Sequence, residues 1–250
     1  MAIAPTLSRR VPQAREFEEV RTLVSNTSSE TARVTAARAL GFEPTDVLRV
    51  ANLRAIRPTM HTDDQALGAF RAQTAGTVPA RVQGGRITAI VHDDASNLTT
   101  GRPPVRWVVA VGPAVRVPFA HESAGGAALT SRFAPRCFGP RVLRHDDLGP
   151  LVTLATVPAP AAAACDHVKR LEQHARGPAG LEDLRTLEVY LRTGNLRSAA
   201  SELFAHHSTV ARRVDRCFTA MDLSVTHPPH RVIAHIGLCL WILTSPYTSE

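Results

Sequence analysis

Lysine is all but absent from this chain: Lys169 is the only one among 29 basic residues. The arginine richness that follows is a matter of overall composition and carries little functional weight. Cysteine is sparse as well. Cys137, Cys165, Cys217 and Cys239 are widely spaced and include no CxxC pair, which argues against a zinc site. No apolar run is long enough for a bilayer; the longest, Val232 to Thr244, is short and contains His235. The opening MAIAPTLSRR lacks the apolar core of a signal peptide, so a reducing compartment and a soluble cytoplasmic protein are expected. Ser123 and Ser208 sit in no G-x-S-x-G motif, so neither reads as an activated nucleophile.

What is present is 250 residues with 44% hydrophobic content, enough for one large or two modest domains, each with its own core. The net charge of +7 and pI near 10.2 are compatible with an anionic partner. The charge is unevenly placed, however. From Leu181 to Glu250 seven arginines meet seven acidic residues, and the surplus lies upstream, with 22 basic against 15 acidic. Any claim of nucleic-acid binding by the tail must therefore rest on local arrangement.

Along the chain, Arg15 to Leu40 reads as helical with a break at Ser25 to Ser29, which can cap a second helix stopped by Gly41. An α/β stretch follows. Val47 to Ile56 alternates like a strand, and Asp63 to Thr74 reads as a helix. Gly84-Gly85 between two short apolar runs predicts a hairpin. Trp107 to Val111, Glu122 to Phe133 and Arg141 to Arg144 read as strand, helix and closing strand. Val157 to Cys165, rich in Pro and Ala, reads as a linker, followed by a short helix, Asp166 to Ala175.

The tail parses into four helices. In the first, Leu181, Leu184, Leu187 and Leu191 recur at helical spacing before Gly194; Asn195 then caps a second, with Leu196, Ala199, Ala200 and Leu203 on one face. Phe204-Ala205-His206 forms a short turn, and a third helix opens at HHST. At about 100° per residue from Val210, the residues Val214, Cys217, Phe218 and Met221 fall within roughly 80° as one apolar stripe. Thr209, Arg212, Arg213 and Arg216 gather on the other side, between about 200° and 300°. An Arg-rich outer face is most often simply solvated. Set after a short alanine-bearing helix and a tight turn, it is also what a recognition helix needs, because arginine can donate to phosphate or bidentately to guanine. In the last helix, Val232, Ile236, Cys239, Leu240 and Leu243 share a side that suits a core or a dimer contact.

The run Asn195 to Arg213, NLRSAASELFAHHSTVARR, resembles the C-terminal helix-turn-helix of PucR/CdaR-type bacterial regulators, in particular actinobacterial forms with an HHST segment. The ending THPPHRVIAHIGLCLWIL is similar to theirs, and TARVTAARALGF and Trp107 to Leu148 resemble parts of their central domain more weakly. The resemblance implies a degenerate GGDEF-like domain ahead of the helix-turn-helix, with His207, Ser208, Thr209, Arg212 and Arg213 contacting DNA; the helical angles add Arg216. Larger members carry a long sensory domain ahead of the central one, whereas about 45 residues precede it in this sequence, so the resemblance defines no effector.

Other polar groups read as structure. His145-Asp146-Asp147 suits a strand-to-helix loop with one aspartate as an N-cap, and His92-Asp93-Asp94 suits a turn. Gly84-Gly85 is followed by Arg86-Ile87-Thr88 where a nucleotide cyclase would need carboxylates for Mg²⁺. Adjacent His206 and His207 are poorly placed to converge on one ion. The expectation is thus an α+β protein: a lead-in over 1–44, a small ferredoxin-like (GGDEF-like) α/β domain over 45–146, a helical linker over 147–180 and an all-α helix-turn-helix domain over 181–250. Its expected function is sequence-specific binding of double-stranded DNA as a homodimeric transcriptional regulator, with no catalytic, cofactor or metal site and no membrane. The alternative is a shortened interaction module without enzymatic activity.

Overall fold

A computed structural model of the chain describes residues 13–55, 79–83, 86–93, 107–134 and 142–244. The described residues up to Gly149 make one compact unit and those from Pro150 onward a second.

The first unit is a sheet with helices. Its elements are α1 (Gln13–Val24), α2 (Glu30–Ala39), β1 (Val47–Ala55), β2 (Ala80–Gln83), β3 (Arg86–His92), β4 (Trp107–Val111), β5 (Val115–Arg116), α3 (Ala120–Ser131), β6 (Val142–Arg144) and the single turn α4 (His145–Leu148). The strands run in the order β2-β3-β1-β4-β6, with β5 beside β1. β4 and β6 are parallel; the other pairs are antiparallel. The helix expected over 63–74 and the Gly84-Gly85 turn lie outside the described residues; β2 and β3, on either side of the two glycines, pair antiparallel in the register Gln83↔Arg86.

Strand alternation divides the apolar side chains between two faces. Leu48, Val50 and Ile90 pack with Val20 and Leu23 of α1, Ala36 and Ala37 of α2, and Ala120 and Ala127 of α3. Ala51, Leu53, Ile87, Ala89, Val91, Val109 and Val111 form the cluster on the other face. The lead-in helices are therefore the sheet's own helical layer. Ser29 starts α2 by accepting the Ala32 N–H at 3.2 Å, and Gly41, at φ +91°, ends it. Arg33 fastens α2 by donating to the carbonyls of Pro118, at 2.7 Å, and Ser28.

A charge is set into the second face. Arg49 is 7% exposed and donates to Asp93 and Asp146, each at 2.7 Å, and to the Gly112 carbonyl at 3.0 Å. Burial opposes its charge, but the two carboxylates outweigh that and raise its pKa. Asp146 is thus an ion-pair partner and not the expected helix cap; the N-cap of α4 is Arg144, with no side-chain cap bond. The strand end at Asp93 and the start of α4 are both tied to β1 through this one guanidinium.

The second unit is helical. After a 3-10 segment (Gly149–Thr156) come α5 (Ala159–Ala164), α6 (Asp166–Ala175), α7 (Gly180–Thr193), α8 (Leu196–Glu202), α9 (His207–Ala220) and α10 (Pro228–Thr244). The expected Pro/Ala linker is in fact mostly the helix α5, whose Ala162 is buried and which packs on α10. Pro158 as N-cap and Pro160 in the first turn start a helix where composition suggested a spacer, because a helix's first turn needs no N–H partner there. α10 also turns differently from expectation. It buries Ala234, Gly237, Leu238, Trp241 and Ile242, while Val232 and Ile236 face outward; only Cys239 of the expected stripe is buried. The indole of Trp241 donates to Glu172 of α6 at 2.9 Å, which fixes that rotation. No helix among the described residues is long and apolar enough to cross a membrane.

Replacing Arg49 by Met should lower the unfolding free energy by about 2 kcal/mol, since it strands two carboxylates and a buried carbonyl, with a discount for their partial exposure. Urea denaturation measures this, and an unchanged midpoint would show that the three contacts contribute nothing net.

Candidate nucleic-acid interface

Three helices and two short turns build the candidate interface. α7 ends where Gly194 takes the left-handed conformation at φ +87° and its N–H reaches the Tyr190 carbonyl. The next residue, Asn195, accepts the Ser198 N–H at 2.8 Å and starts α8. Ala199 and Ala200, both buried, let α8 lie close to its neighbours. α8 ends in a Schellman arrangement: Phe204 N–H bonds Ser201 O at 3.3 Å and Ala205 N–H bonds Ala200 O at 3.0 Å. His206 then caps α9, its Nδ1 accepting the Ser208 N–H at 3.3 Å. Val210, Val214, Cys217, Phe218 and Met221 are all buried, as the expected apolar stripe requires.

The orientation of α9 is set by ion pairs to α7. Asp183 is 1% exposed and receives Arg216 in a two-pronged contact, Nε at 2.8 Å on Oδ2 and Nη2 on Oδ1. The same carboxylate lies 3.1 Å from His174 Nε2 on α6. Asp183 holds the Arg216 guanidinium above its usual pKa. One turn away, Arg213 Nη1 donates to Glu182 at 2.8 Å and to Thr186 Oγ1 at 3.4 Å. Arg192 bridges Glu188 of α7 and Glu202 of α8. Gly180 makes the α6–α7 approach possible: a Cβ there would lie 1.9 Å from the His174 carbonyl oxygen.

The expected contact residues therefore separate. His207, Ser208 and Arg212 are exposed, Thr209 is half-buried, and Arg213 and Arg216 lean on α7 with carboxylate partners. The open side of α9 carries Ser208, Arg212, Asp215 and Thr219, so it is less basic than the helical angles suggested. Asp183 was missed by sequence reading. Its signal was present: it falls on the Leu187 and Tyr190 side of α7, and a carboxylate at a core position demands a partner. Leu181, read as part of the apolar series, is 55% exposed.

Cys217 Sγ lies 3.9 Å from His174 Nε2, which also faces Asp183. This is no nucleophile array. One ring nitrogen meets both groups, whereas a triad uses one for each. Burial pushes the Cys217 thiol up to about 12 and does the same to Cys239. No group of three or more His, Cys, Asp or Glu residues among the described residues could hold a metal ion.

Two outcomes are expected. Asp183→Ala should cost the protein about 2–3 kcal/mol of unfolding free energy, because it leaves Arg216 and His174 without their shared acceptor; thermal and urea unfolding test this. Iodoacetamide at pH 8 should alkylate Cys217 and Cys239 only as fast as the protein unfolds, as followed by mass spectrometry, and rapid labelling of either in the folded state would contradict their burial.

Against known proteins, the family model of the PucR C-terminal helix-turn-helix domain matches residues 183–240. No curated protein matches the chain. Among solved structures, a regulator of polyketide synthase expression from Bifidobacterium adolescentis is similar at 17% identity over 94% of each chain, with a TM-score of 0.43, too distant to bear on activity. The matched residues, 183–240, run from the Asp183 anchor through α8 and α9 into α10, so the segment that resembles the PucR C-terminal helix-turn-helix domain is the one that builds this interface.

Proposed function

We propose that this protein is a sequence-specific, DNA-binding transcriptional regulator of the PucR/CdaR type, with α9 as the helix that enters the major groove. The observation that carries this reading is the exposed amino end of α9, held in a matched helix-turn-helix by two arginine–carboxylate anchors. The first turn of a helix offers free backbone N–H groups and a partial positive charge, which suit a phosphate. His207 and Ser208 stand at that end, with Thr209 beside them. Arg212 is one turn further along and has the reach for a guanine edge or a phosphate oxygen. Arg213 and Arg216 act from the flank: their carboxylate partners orient them and cancel part of their charge, so they add less to affinity than their number implies.

A homodimer fits this reading, because one such module makes few base contacts and operators commonly have two-fold symmetry. The first unit is read as a degenerate GGDEF-like domain without catalysis. Support comes from its β2-β3-β1-β4 antiparallel order and from Arg49, which occupies Asp93 and Asp146.

The test is gel retardation of DNA fragments from the region upstream of the protein's own coding sequence, across a salt series. Wild-type binding should weaken steeply with salt. Arg212→Ala should reduce affinity about tenfold or more and flatten the salt slope by about one. Arg213→Ala and Arg216→Ala should bind less strongly than wild type and also lower thermal stability. Binding insensitive to Arg212→Ala would remove α9's outer face as the reading surface.

A further inference from the structure

The turn between α8 and α9 holds a large aromatic side chain in the least favourable place for one. Phe204 is 98% exposed, so it gains nothing from burial. It also adopts φ +49°, one of two positive-φ non-glycine residues among the described residues. It stands at the position of a Schellman ending where glycine is the usual occupant, because a Cβ crowds the following carbonyl in left-handed backbone. At that exposure its ring packs on too little of the chain to offset the cost. Glycine would keep the same turn, with the same bonds to Ser201 and Ala200, at lower energy. Strain retained at an exposed position points to a role in contact with something outside the chain.

The neighbours say what that is. Phe204 is followed by Ala205, half-buried, and then by exposed His206, His207 and Ser208, the last two at the amino end of α9. It stands three residues ahead of α9 in the chain, next to the residues that the regulator reading assigns to DNA. That surface is hydrophilic apart from this ring: its side chains are imidazoles, hydroxyls and a guanidinium. In the major groove the one apolar feature of a base pair is the C5-methyl of thymine, and phenylalanine is among the side chains that pack on it. We propose that Phe204 is a specificity-determining residue, its ring packing on a thymine methyl at the edge of the site read by α9. This rests on the DNA-binding reading and extends it to one named base feature.

The experiment uses the full chain and an upstream fragment that wild-type protein retards. Phe204→Gly should raise the melting temperature by about 2–4 °C, the shift that relief of the strain would give a chain of this size, and should weaken binding about five- to tenfold. Replacing thymines of the fragment by deoxyuridine one at a time removes only the methyl. At one position this should weaken wild-type binding several-fold and leave Phe204→Gly binding unchanged. Phe204→Leu, which keeps an apolar group, should recover part of the affinity. If Phe204→Gly is more stable and binds with wild-type affinity, the proposal is overturned while the regulator reading stands. It is likewise overturned if deoxyuridine weakens both proteins equally, which makes the methyl contact another residue's. Loss of self-association by Phe204→Gly in sedimentation, with DNA affinity kept, overturns it too and makes the ring a protein contact. Failure of wild-type protein to retard any upstream fragment would overturn the regulator reading and this proposal together.

Discussion

A carboxylate taken out of water must be surrounded by donors, and Asp183 meets that demand with two helices at once. Arg216 brings α9 to it and His174 brings α6. Because the guanidinium grips both oxygens in one plane, the contact fixes how α9 is rolled about its axis as well as how near it lies. That roll decides which residues reach the surface. With Arg216 and Arg213 directed at α7, the side that remains open begins with His207 and Ser208 and passes through Arg212. The buried stripe of Val210, Val214, Cys217 and Phe218 sets which side of α9 faces inward, and the two-pronged ion pair on a buried acid holds that roll from the flank. The proposed reading surface is thus set by a charge pair that lies behind it.

The first unit uses the same device in a different layer. Arg49 points from β1 among alanines and valines and gathers the end of β3 and the start of α4. In both units a buried or nearly buried charge joins segments that are distant in sequence, over 33 residues for Asp183 and Arg216 and 97 for Arg49 and Asp146. Apolar burial supplies most of the stabilisation, and the ion pairs supply registry.

How much of this was legible follows from the range of each signal. Helix ends were readable because they are local: Ser29, Gly41, Gly194 and Asn195 act on backbone groups within four residues. The apolar stripe of α9 was readable because period fixes it. The roll of α10 was not. Its apolar residues surround most of the helix, and the choice between the Val232–Ile236 side and the Ala234–Leu238–Trp241 side depends on Glu172 receiving the indole. The roles of Arg213 and Arg216 were hidden for a related reason: angle places a residue on a side, but only the acids of α7 turn a free cation into a paired one. The Pro/Ala segment misled because composition that resists order in isolation becomes a helix once α10 gives it a surface.

Gly180 has a consequence for mechanics. With no side chain between α7 and the end of α6, the two backbones meet almost as hard bodies, and there is no layer of rotatable carbon to absorb displacement. A push on α6 passes undamped into the first turn of α7, the turn that carries Glu182 and Asp183. The missing methyl makes the pair a rigid joint, and the same first turn of α7 grips the arginines of α9.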